Sequence, residues 1–133
     1  MIDIESQIFT MLYDAIKSVY PNCDVKSELD LEPAKSPAVM IEEVNNSSNA
    51  QTATTTSTEN HAIVDYEINI FSSKASGRKS EAKAILSLID SVMTEWNFQR
   101  LMTNPVSLSD STRYRLVTRY TAVVGKDETI YRR

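Results

Sequence analysis

Glycine is nearly missing from this chain: two in 133 residues, Gly77 and Gly125. Phosphate-cradling loops and runs of tight two-residue hairpins both lean on glycine, so the scarcity argues against both. A single cysteine, Cys23, leaves no internal disulfide framework and fits a reducing compartment. A single histidine, His61, has no Cys or second His beside it, so the usual set of metal ligands is not expected. The opening residues Met1-Ile2-Asp3-Ile4-Glu5 lack the basic and apolar blocks of a secretory leader, and none is expected. No apolar run approaches the roughly 18 residues of a membrane span. Bases are outnumbered, 14 Lys and Arg against 18 Asp and Glu, which argues against a general nucleic-acid binder.

What remains is ordinary for one globular domain: 41% hydrophobic and 24% charged residues. A chain of this length buries about two-thirds of its unfolded surface. One feature is not ordinary. Asn45 to Asn60 is a tract of Asn, Ser, Thr, Gln, Ala and one Glu, without a large apolar residue. Burial cannot offset the ordering entropy of such a tract, and a loop this long in a small domain is functional or disordered. Folded back on itself it reaches roughly 25 Å from the body.

Strand-like runs flank the tract. Pro37 to Val44 begins with a continuous apolar stretch. From His61 to Phe71, Ala62, Val64, Tyr66, Ile68 and Ile70 share one face, and Asp65, Glu67 and Asn69 the other. The two runs predict an antiparallel hairpin with an extended tip. Helical spacing of Ile8, Leu12, Ile16, Val19 and Tyr20 predicts a first helix over Asp3–Tyr20, with Asp3 as N-cap. A second helix over Ser80–Trp96 follows from Ala82, Ile85, Leu86, Ile89, Val92, Met93 and Trp96, with Asn97 in the left-handed position beyond it. Cys23–Leu31 holds at most one short strand. Phe98–Asp110, containing Asn104-Pro105, reads as irregular or short strand. Thr112–Val124 is a long strand, and the C-terminus a short one. This order predicts a single α+β domain over residues 1–133, with two helices on one face of a mostly antiparallel sheet and a long hairpin arm.

No catalytic constellation emerges. Glu42 and Glu43 are neighbours on a strand and point apart, so they cannot converge in one cleft. Ser107, Ser109 and Ser111 lack a nucleophile turn. Neither a cofactor nor a metal is expected. Arg113, Arg115 and Arg119 share one strand face about 7 Å apart per two-residue step. Such a stripe is a solvated face, a phosphate-binding row, or a set of partners for carboxylates of a neighbouring subunit. The candidate contact residues are therefore Asn46, Asn49, Gln51, Thr54 and Thr56 in the polar tract, with Arg113, Arg115, Arg119, Arg132 and Arg133.

The order of several strings resembles the tail terminator, or tail completion, proteins of long-tailed bacteriophages. The strings are Tyr66-Glu-Ile-Asn-Ile-Phe71, Lys79-Ser-Glu-Ala-Lys83, Phe98-Gln-Arg100, Asn104-Pro105, Arg113-Tyr-Arg-Leu-Val-Thr-Arg-Tyr120 and Ile130-Tyr-Arg-Arg133. They span Ala62 to Arg133; the N-terminal helix agrees only in type. The resemblance implies a ring, usually of six copies, that caps the head-proximal end of the tail tube and stops its growth. Implied partners are the chain itself, the tube protein, the head-completion or connector protein, a sheath if the tail contracts, and the genome DNA passing through without sequence-specific binding. The implied location is the neck of the virion, assembled in the host cytoplasm, with no membrane involved. Another neck component such as a head-completion or stopper protein is the nearest alternative. A nucleic-acid-binding domain using the arginine strand is a second, and an enzyme a third.

Overall fold

The structure, a computed structural model, describes residues 1–48 and 60–133. The two periodicities of the sequence become two helices and six strands. In chain order these are α1 (Glu5–Val19), β1 (Asp24–Lys26), β2 (Ala38–Ser48), β3 (His61–Ser72), α2 (Arg78–Glu95), β4 (Gln99–Val106), β5 (Tyr114–Gly125) and β6 (Ile130–Tyr131). The strands lie in the order β1-β2-β3-β5-β4, with β6 also paired to β5. Every pairing is antiparallel except β1 with β2.

The strict alternation of β3 decides the layering. Ala62, Val64, Tyr66, Ile68 and Ile70 are fully buried on one face. Both helices cover that face: α1 contributes Ile8, Leu12 and Ile16, and α2 contributes Ala82, Ile85, Leu86, Ile89 and Met93. Each of the valine, leucine, isoleucine and methionine side chains among them gains about 1.5–3 kcal/mol by leaving water. Ile4, not Asp3, occupies the N-cap position of α1; Asp3 lies one residue earlier, where its carboxylate still accepts the Glu5 N–H at 3.0 Å. Gly77 precedes α2 at φ 83, and Asn97 follows it at φ 68, the left-handed position expected. The reversal at Asn97 drops Phe98 into the core, edge-on to Tyr66 with ring centroids 5.6 Å apart.

Two segments differ from the sequence-based expectation. Residues 99–106, expected as irregular or short strand, form the eight-residue strand β4. Pro105 hides its strand character, yet β4 pairs only with β5 and so lies at the edge of the sheet, where a missing N–H is tolerated. The polar tract is strand in its first residues: β2 continues through Ser48, with Asn45 to Ser48 opposite Asp65 to Ala62 after an irregularity between Glu43 and Asn45. Residues 49–59 of the tract lie outside the described residues.

Truncating Phe98 to Ala removes a fully enclosed ring where the chain turns from α2 into the sheet. The expected loss is about 3–5 kcal/mol of unfolding free energy in urea; a loss under about 1 kcal/mol would contradict this packing.

Candidate assembly surface

Among the described residues, no helix packs on the second face of the sheet. The register builds that face in rows across β2, β3 and β5: Ala38–Phe71–Arg115, Met40–Asn69–Val117, Glu42–Glu67–Arg119 and Asn45–Asp65–Thr121. Ala38, Met40 and Phe71 form a small second cluster beneath Leu108. Further along, polar side chains do the covering. Arg119 donates twice to one oxygen of Glu67, Oε2, from Nε at 2.9 Å and from Nη2 at 2.7 Å. Arg115 donates to Asn69 at 2.9 Å and lies 5.6 Å from the Phe71 ring centroid. Arg133 donates to the Thr121 hydroxyl at 3.2 Å and lies 3.9 Å from Asp65. Arg113 lies 3.7 Å from Asp110.

Of the sequence-derived candidates, Arg115, Arg119 and Arg133 thus meet on one face, each bound within its own chain. Arg113 lies just before β5, and Arg132 is exposed with no ion pair among the described residues. Asn46 sits in the arm strand, where its amide donates to the Ile2 carbonyl at 2.7 Å. Asn49, Gln51, Thr54 and Thr56 lie outside the described residues.

The one described group that could hold a cation is Asp3, Glu5 and Glu43, whose carboxylate oxygens approach within 4.8 Å of one another. Each already has a protein donor. Asp3 takes the Glu5 N–H, Glu5 takes the Glu43 N–H at 2.8 Å, and Glu43 takes the Tyr66 hydroxyl at 3.2 Å. The group ties the N-terminus to the root of the hairpin. Glu43, like its neighbour Glu42, is half-buried. Burial first, then the charges of Glu5 and Asp3, raise its carboxyl above the ordinary glutamate value. Burial also pushes the Cys23 thiol up to about 11, so it stays protonated and unreactive at neutral pH. His61 stands at the mouth of an open pocket lined by Gly125, Lys126, Asp127 and Tyr131, with its ring 5.8 Å from that of Tyr131.

Sequence reasoning missed the sheet edge. Trp96, expected in the apolar stripe of α2, is 49% exposed, and with it Leu101, Val106 and Tyr131 are exposed along β4 and β6. The available signal was Leu101, an apolar residue outside any helical or alternating pattern.

No protein-family model matches the sequence, and no curated protein does. Among solved structures, a chain from the virion of a native gene transfer agent particle is similar over 86% of this chain and 88% of that one, with a TM-score of 0.61 and 14% identity. At that identity the likeness establishes a shared fold.

Two measurements check the electrostatics. The raised Glu43 value means that this group's contribution to stability is complete below the unfolded glutamate value and is lost as pH rises through the folded one. Glu43→Gln should therefore melt higher than the parent at pH 7, with the gain vanishing near pH 4; equal melting at both values would refute the burial penalty. Arg119→Ala should cost about 1 kcal/mol, since it leaves Glu67 with only the Asn69 amide and no ion-pair partner, while Arg132→Ala stays within about 0.5 kcal/mol. Equal urea midpoints for the two variants would contradict the pairing.

Proposed function

We propose that this chain is a structural virion protein: the tail terminator of a phage-type particle, acting as a ring, usually of six copies, at the head-proximal end of the tail tube. The single observation behind this is the fold shared, at 14% identity and a TM-score of 0.61, with a chain of the native gene transfer agent virion. The order of the strings from Ala62 to Arg133 narrows the reading to a terminator. Its role is mechanical: it stops addition of tube subunits and offers a surface to the head's connector, while DNA passes through the centre. It transforms no substrate.

A ring of identical subunits requires a head-to-tail contact between two different patches that closes after a fixed number of copies. The polar arm, led out of the sheet by β2 and β3, supplies reach for such contacts. Its Asn, Gln, Ser and Thr side chains carry donors and acceptors suited to polar contacts with a neighbouring subunit. The net charge of −4 suits a conduit that DNA slides through without sticking. A different neck component would use the same surfaces and differ in which end it caps. A nucleic-acid-binding reading needs arginines available to phosphate, and Arg115, Arg119 and Arg133 already have intrachain partners.

The arm is the element to remove. Replacing residues 49–58 by a two-residue Asn-Gly turn should leave the melting temperature within a few degrees and abolish head–tail joining in an assembly assay. In native mass spectrometry the parent should give a species near six times the 15.0 kDa chain mass, alone or when mixed with tube ends. Normal joining by the arm-less protein would remove the arm from the proposal. A parent that stays single under both conditions would end it.

A further inference from the structure

β2 is covered unevenly along its two edges. On one edge β3 pairs with it from Ala38 to Ser48. On the other, β1 pairs only with Ala38, Val39 and Met40. From Ile41 onward no strand lies along that outer edge among the described residues. An open strand edge is a template for another strand, and folds commonly cover it. Here the cover is the segment Ile2–Glu5, which leads into α1.

Two side-chain hydrogen bonds attach this segment to the root of the arm. The Glu43 N–H, which points away from β3, donates to Glu5 Oε2 at 2.8 Å. The Asn46 amide donates to the Ile2 carbonyl at 2.7 Å. Between these two ties β2 breaks register, with Val44 exposed at the irregularity. Ile2 and Ile4 point inward and join the main core, while Asp3 between them stays exposed. One feature works against the attachment. Asp3 and Glu5 on the segment and Glu43 on the strand bring carboxylate oxygens within 4.8 Å of one another. Glu43 is half-buried, so this repulsion is screened less than it would be in open water. Repulsions and hydrogen bonds of this kind are similar in size. The hold therefore rests mainly on two isoleucines.

We propose that Ile2–Glu5 is a strap that opens on its own, uncovering the outer edge of β2 at the root of the arm while the sheet and its helix-covered core stay folded. Local opening draws on segments with few buried side chains, and the strap has two. β3, in contrast, is paired on both sides and sealed under two helices. Opening releases the Glu43 N–H and the Asn46 amide together. The irregularity at Val44 then gives β2 a place to bend, because an extra residue loosens the ladder there. The strap thus sets how firmly the arm is aimed, and the crowded carboxylates keep its grip below what its contacts alone would give. This inference stands on hydrogen bonds and burial within one chain and is independent of the ring reading.

Native-state hydrogen exchange in increasing urea, read at single residues by mass spectrometry, tests this on a monomer or an assembly alike. The Glu43 amide should exchange at least about tenfold faster than the Thr118 and Tyr120 amides in the middle of β5, and with a much weaker urea dependence. Ile2→Ser combined with Asn46→Ala should speed Glu43 exchange a further tenfold or so while the β5 amides stay within about threefold of the parent. Asp3→Asn is an exposed change that keeps an acceptor for the Glu5 N–H. It should slow Glu43 exchange about twofold at pH 7 by removing one crowded charge, and it reads the strap even if the double variant does not fold. A Glu43 amide that exchanges at the β5 rate with the β5 urea dependence would make the strap part of the cooperative core and overturn the proposal. So would Glu43 exchange that neither Asp3→Asn nor the double variant alters.

Discussion

Everything in this molecule hangs on β3. It is paired along its length by β2 on one side and β5 on the other, and five of its side chains are sealed under two helices. A strand in that position has no freedom of register: a one-residue slip would put Asp65, Glu67 and Asn69 into the core and the isoleucines into water. The helices follow from it, since an apolar sheet face of that width needs two amphipathic helices to cover it. The root of the arm follows too, because β2 can continue past the core only while β3 runs beside it.

The opposite face solves a different problem. With no helix to cover it, its polar β3 residues are capped by long side chains from β5 and the C-terminus. Arginine suits this task. Its planar head can lie near an aromatic ring such as Phe71 while its N–H groups reach a carboxylate or amide oxygen. The stripe that looks in sequence like an external binding row is, in the fold, first a set of intrachain ties. Glu43 plays a matching part on the helix side: its half-buried carboxylate takes the Tyr66 hydroxyl, while its own backbone N–H is held by Glu5. The group ties the chain's start to the hairpin at the cost of a charge partly out of water.

The sequence alone determined the α+β class, both helices, the two faces of β3, the hairpin and the left-handed Asn97. All of these are local: they follow from a period of 3.6 or 2 and from the backbone preferences of single residues. It did not determine that residues 99–106 are strand, because Pro105 is unfavourable in a strand until an edge position makes it harmless. Nor did it determine that Trp96 is exposed, that Glu43 is half-buried, or which acids the arginines meet. Those are matters of which distant segment arrives opposite a given residue. Arg119 and Glu67 are separated by 52 positions and become partners only through the β3–β5 register, which tertiary structure alone sets.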